Sequence, residues 1–235
     1  MRSVKAMKIL LTALLIGGVC ACVPVDELKE EMRTIQLGEA ESVKVELNLG
    51  AGELRLQGGA DYLMEAYFNY NVRRWKPEVF YQVSDSRGIL KVKQGKSSGI
   101  PIGKTRNRWD ISLSNDAPLD LEVNFGAGEG KLDFRGIILE SLDIDMGAGE
   151  LKVDLTGERM ENLDVTIDGG VGSLKIYLPR NIGVRVDVDK GIGSVDAVGM
   201  NKKGSVYTND AFGESGVSID VKIDAGIGSI DLRLR

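Results

Sequence analysis

The residues whose types and spacing could do chemistry are acidic. Asp145, Asp168, Asp189 and Asp224 each stand two places before a glycine, inside a phrase Asn/Asp-x-Gly-x-Gly-Glu/Ser that occurs six times; Asn48 and Asn124 hold that place in the other copies. A carboxylate recurring in a recurring turn points to hard-cation chemistry. If the copies stack in register, the four aspartates form a column about 5 Å apart, a row of weak calcium sites to which Glu129 and Glu150 could add oxygens. The competing assignment is structural: each side chain accepts a backbone N–H of its own glycine turn. Ser173, Ser194 and Ser229 replace the glutamate in the copies where aspartate predominates. Paired acids such as Asp143 and Asp145, or Asp187 and Asp189, could serve a glycosidase, but they alternate with apolar residues, which places them on a solvated face. The chain has no histidine, the commonest general base and metal ligand. No Gly-x-Gly copy continues as a dinucleotide fingerprint or carries a P-loop lysine. This inventory predicts no catalytic residue and no cofactor.

The remaining reactive chemistry is at the N-terminus. Arg2, Lys5 and Lys8 precede an apolar run from Ile9 to Val19, 11 residues long, where a membrane-spanning helix needs about 20. This is an export signal. Val19-Cys20-Ala21-Cys22 resembles a bacterial lipobox, which implies cleavage before Cys22 and attachment of diacylglycerol to its sulfur; ordinary cleavage after Ala21 is the alternative. Two or three acyl chains anchor stably where one is marginal. The predicted location is therefore exported and lipid-anchored on the outer face of a bacterial membrane. No cysteine follows Cys22, so neither disulfides nor a cysteine metal site support the fold.

The elements that must position the acidic column are short alternating runs. In Ser42–Gln57, Val43, Val45, Leu47 and Leu49 alternate with polar residues, the chain turns at Gly50 and Gly52, and Leu54 and Leu56 resume the alternation. Period two means half-buried strands, and glycines without Cβ permit a sharp corner. The same unit returns around Gly126 and Gly128, Gly147 and Gly149, Gly170 and Gly172, Gly191 and Gly193, and Gly226 and Gly228, with steps of 21, 23, 21 and 35 residues from the first of these. A period of that kind marks a solenoid. The prediction is an all-β, β-solenoid-like stack of 21–23-residue coils over 119–235. The long last step predicts a surface loop near Met200–Phe212, and the alternating charges Asp231, Arg233 and Arg235 predict that the last strand is a charged terminal edge.

Residues 22–41 read as a tether, with a short helix from Asp26 as the alternative, and 42–118 as an N-terminal β cap module. Residues 60–118 hold eight of the 13 aromatics. Between Tyr70 and Trp109 lie ten Lys/Arg and two Asp/Glu, whereas the rest of the mature chain has 17 against 33. A basic, aromatic module thus adjoins an acidic solenoid. Arg73, Arg74, Trp75, Lys76, Lys91, Lys93, Arg106, Arg108 and Trp109 are its candidate interaction surface for lipid headgroups, anionic envelope polymers or an acidic partner. A sheet that merely caps the solenoid is the bland alternative. Nucleic acid is not expected outside the membrane.

With these motifs the chain resembles the bacterial toast-rack family. The resemblance is carried by VELNLGAGELRLQGGA (45–60), WKPEVFY (75–81) and LSNDAPLDLEVNFGAGEGKLDFRGIILESLDIDMGAGELKVDLTGE (113–158). It implies an N-terminal toast-rack domain joined to a β-solenoid-like part, a function mostly unknown, and no catalytic residues. A more distant similarity is to the extracytoplasmic part of LiaF-like cell-envelope stress proteins. Those carry transmembrane helices, which this sequence lacks beyond its signal. The expected function is that of a non-catalytic envelope lipoprotein whose rigid surface contacts protein or envelope polymer. Alternatives are an accessory in envelope-stress sensing and a carbohydrate-active hydrolase.

Overall fold

The computed structural model describes residues 22–96 and 100–235; the export signal lies outside the described residues, and Cys22 is described only as backbone. The chain begins with β1 (Cys22–Pro24), β2 (Lys29–Ile35), β3 (Ser42–Gly58) and β4 (Met64–Tyr70). A 3-10 turn over Arg73–Trp75 leads into a hairpin of β5 (Pro77–Ser84) and β6 (Arg87–Gln94), then β7 (Ile100–Ile102) and β8 (Asn107–Leu113). The long strands follow: β9 (Leu119–Asp133), β10 (Leu139–Asp154), β11 (Leu163–Leu178) and β12 (Gly183–Val198). A small hairpin, β13 (Asn201–Lys203) and β14 (Val206–Thr208), precedes the last strand, β15 (Ser218–Leu234). Thirteen strands form one open sheet, and β1 pairs with β7 apart from it.

The long strands lie parallel, yet five residues join β9 to β10 and four join β11 to β12. Five residues reach at most about 18 Å, while a straight strand of β9's length would extend about 50 Å. Each long strand must therefore fold back on itself, and it does so at the Gly-x-Gly corner. The buried residues change parity there, from Val43, Val45, Leu47 and Leu49 to Leu54 and Leu56 in β3, and from Leu142, Ile144 and Met146 to Leu151 and Val153 in β10. The added corner residue turns both arms inward. Stacked coils thus form two layers around one continuous core, the solenoid-like arrangement that the period implies.

Glycine at the corner is required by close stacking. Gly149 has φ +134°, and a Cβ on it would overlap the carbonyl oxygen of Gly128 in the next coil.

The stack order departs from the chain order. From the cap end the coils run β3, β9, β10, β11, β15, β12, so the last strand lies between β11 and β12 instead of at the edge. The charges that read as edge protection are ion pairs to its neighbours: Asp231 with Lys175 of β11 at 2.7 Å, and Arg233 with Asp196 of β12 at 2.7 Å. The segment expected as a surface loop is the β13/β14 hairpin, paired with Arg185–Asp187 of β12. Buried Asn209 holds it there, donating to the carbonyls of Pro179 and Ile182 and accepting from Val184 N–H at 2.9 Å.

At the other end, a coil is replaced by two separate strands. β6 pairs with the first arm of β3 and β8 with its second arm. The corner between them is supplied by side chains. Gln94 Oε1 accepts from Gly50 N–H at 2.9 Å and Ala51 N–H at 3.2 Å, while Asn107 Nδ2 donates to the Ala51 carbonyl at 2.7 Å. The hairpin turns at Asp85–Ser86, both at positive φ, as a type I′ turn requires. Residues 29–35, read as tether or short helix, are strand β2, antiparallel to β4.

Candidate functional site

Parallel register brings the residues before each corner into one row: Asn48, Asn124, Asp145, Asp168, Asp224 and Asp189. They project outward because their neighbours in each strand point into the core. The row from Asn48 to Asp224, without Asp189, and the glycines beside it floor a groove of ≈ 910 Å³, bounded at the cap end by Trp75, Gln94, Gly95 and Lys96. Trp75 is set there by the 3-10 turn, whose last N–H donates to Val72 O at 2.8 Å. The end of β6 passes under this turn at Gly95, where a Cβ would overlap the carbonyls of Arg74 and Lys76. The groove is thus basic and aromatic at the cap end, uncharged past Asn48 and Asn124, and acidic from Asp145 to Asp224.

Burial and the nearby Asp168, Glu122 and Asp143 charges push the Asp145 carboxyl above its ordinary value. Among the described residues no hydrogen bond or ion pair reaches the carboxylates of Asp145, Asp168, Asp189 or Asp224, so they do not close their own glycine turns. Nor do they converge on a cation: among the described residues no group of three or more His, Cys, Asp or Glu is arranged to hold a metal. Glycoside cleavage needs two carboxyl groups flanking one bond. Here all four stand on one wall, exposed and pointing the same way.

The basic candidates do not form one surface. Arg73, Arg74 and Lys76 join Lys96 around a depression of ≈ 430 Å³ that meets the groove at Gly95 and Lys96. Lys76 also reaches Glu31 at 3.3 Å. The Tyr70 hydroxyl donating to Glu31 is the main cause holding that carboxyl below its ordinary value. Lys91 and Lys93 lie on β6 beside the first arm of β3, Lys91 bound to Glu46 at 2.8 Å. Arg106 and Arg108 belong to the other layer, and Arg108 donates twice to Asp110, at 2.8 and 3.0 Å. Trp109 is fully buried, edge-on to Phe68 at 5.3 Å, so it is a core residue and not part of any interaction surface. Alternation in β8 carried that signal, since Trp109 shares a face with Ile111 and Leu113. The capping roles of Gln94 and Asn107 had no signal in the sequence, because they exist only where a coil is missing.

Residues 25–177 match the family described as the N-terminal domain of toast_rack, DUF2154. This chain belongs to the toast-rack family. No curated protein matches it. Among solved structures, the toast-rack chain is similar to a "putative cell adhesion protein" from Clostridium sporogenes ATCC 15579, at 36% identity and TM-score 0.85, covering 89% of this chain and 100% of that one. More distant are a "putative adhesin" from Bacteroides fragilis NCTC 9343 (10% identity, TM-score 0.37, 89% and 99% covered) and one from Parabacteroides distasonis ATCC 8503 (12%, 0.32, 90% and 100%). Among the described residues of the toast-rack chain, no helix is long and apolar enough to cross a membrane.

Proposed function

We propose that this chain is an exported, non-catalytic attachment protein, held on the outer face of a bacterial membrane through a lipidated Cys22. It contacts protein or anionic envelope polymer through the basic end of its groove. The observation that carries this reading is the correspondence with the Clostridium sporogenes protein over 89% of this chain, at 36% identity and TM-score 0.85. The geometry adds a place for contact. Half-buried Trp75 lines the groove with Lys96, and Arg73, Arg74, Lys76 and Lys96 outnumber Glu78 around the adjoining depression, which suits a flexible chain carrying negative charges.

The chain without its signal and lipidated cysteine, residues 23–235, is to be titrated with polyglycerol phosphate as the anionic polymer and with dextran as the neutral one. Binding to the anionic polymer, weakened at least tenfold by Arg73→Glu with Lys96→Glu and unchanged by Lys104→Glu, is the expected result. Equal binding by all three proteins would remove the basic depression from the proposal. Anchoring has its own test: cells fed a clickable fatty acid label the wild type and not Cys22→Ser. Labelling of neither would overturn the lipid anchor.

A further inference from the structure

We infer that the second arm of β12, residues 193–198, is a docking edge for an extended, β-branched, cationic segment of another protein. In its layer this arm pairs on one side only, with β15, from Gly193 opposite Gly228 to Val198 opposite Arg233. The β13/β14 hairpin covers the first arm and its pairing stops at Asp187. No strand stands beside 193–198 among the described residues. The Gly193 carbonyl accepts from Lys190 Nζ and the Ala197 carbonyl from Met200 N–H, so an incoming strand must displace these two contacts and use the groups around Val195. Open N–H and C=O groups on a sheet edge are a template for another strand.

Side chains around this edge are those of an unfinished stack. Along the corner the residue between the glycines runs Ala51, Ala127, Ala148, Val171, Ile227, Ile192. The last three form an exposed apolar ridge, 53%, 51% and 73% accessible, that ends at the open arm. On the inner face Val195 and Ala197 continue the core rows of Ile230 and Leu232 but are only half-buried, for want of a following coil. On the outer face stand Asp196 and, at the corner, Asp189. Arg233 shows what satisfies Asp196 from a neighbouring strand. An incoming segment with Val, Ile or Leu at inward positions and Lys or Arg opposite Asp196 would extend both patterns.

A second copy fits less well. Two-fold antiparallel pairing centred on this arm would set Asp196 near its own equivalent. The other open edge of this layer, β2, turns Glu31 and Arg33 toward its inner face, opposite buried Phe68 and Ala66. That is how natural sheets discourage strand addition, and β12 has no such charge pointing inward.

The probe is a synthetic peptide copying Gly226–Leu234, GIGSIDLRL, with the change Asp231→Lys, titrated into the chain of residues 23–235. Two further peptides carry backbone N-methyl groups on alternate residues, in the two possible registers. Strand pairing uses the N–H groups of one register only. The expected result is that one methylated peptide loses binding at least tenfold, that the other binds like the parent, and that Asp196→Lys in the protein weakens the parent peptide tenfold. Because methylation alters the probe and not the protein, loss of folding cannot imitate this pattern. Equal behaviour of both methylated peptides, or no binding by the parent, would overturn the inference. A concentration-dependent dimer that the peptide dissociates would overturn it in favour of a second copy.

Discussion

Replacing Gly149 by alanine tests whether coil stacking is what requires glycine at the corners. The substitution holds an L residue at φ +134°, a region populated almost only by glycine, at about 1–3 kcal/mol. It also drives Cβ into the Gly128 carbonyl, so β9 and β10 must part at the corner. Loss of two backbone hydrogen bonds there adds roughly 1 kcal/mol each. The sum, about 3–5 kcal/mol, is a large share of a typical domain's ~5–15 kcal/mol. The control is Gly204→Ala, at φ +65° with no atom within 4 Å of the added Cβ, which carries only the left-handed penalty of about 1–2 kcal/mol. Urea unfolding followed by circular dichroism measures both, with m compared to confirm the same transition. A difference below about 0.5 kcal/mol, the scatter of ordinary surface changes, would refute close stacking as the reason for the motif.

Gln94→Ala exposes the Gly50 and Ala51 amides that it caps; it should destabilise by about 1–2 kcal/mol and speed hydrogen exchange at those two amides selectively. Asn209→Ala leaves Val184 N–H and the Ile182 carbonyl without their partner inside the protein; about 2–4 kcal/mol of lost stability is expected, with early exchange in β14. Asp145→Asn should raise the unfolding midpoint at pH 7. Its carboxyl is raised by burial and by Asp168, Glu122 and Asp143, so the fold disfavours the ionised form, and the penalty is complete above the raised folded value. As pH falls through that value the folded state takes up a proton and the penalty is relieved, until below the ordinary value the wild type and Asp145→Asn unfold alike. The share of the difference due to Asp168, Glu122 and Asp143 should be lost in 1 M salt; a salt-independent difference at pH 7 would refute that share and leave burial as the whole cause.

Local pattern and long-range pairing divide the account. Alternation around Val43–Leu49 and Leu54–Leu56, and glycines at a fixed place in six copies, are local constraints, and they determined that the chain forms bent strands stacked in register. The same rules determined that the aspartates make a row, because register follows from the apolar period. They could not order the stack. The last three copies share Asp-x-Gly-x-Gly-Ser and nearly the same apolar positions, so each arm fits beside any other; in the order found, with β15 between β11 and β12, Asp231 meets Lys175 and Arg233 meets Asp196, residues 56 and 37 apart in the chain. Composition also misled where faces matter: grouping Trp109 with Arg108 ignored that adjacent strand residues point to opposite sides. Strand β2 has no clear alternation, and only β4 beside it makes it a strand. The sequence by itself determined the repeating coil and the outward acidic row; the tertiary structure alone decided which coil ends the stack, and with it that the uncovered edge is β12, because the energy that selects the order lies in contacts between residues far apart in the chain.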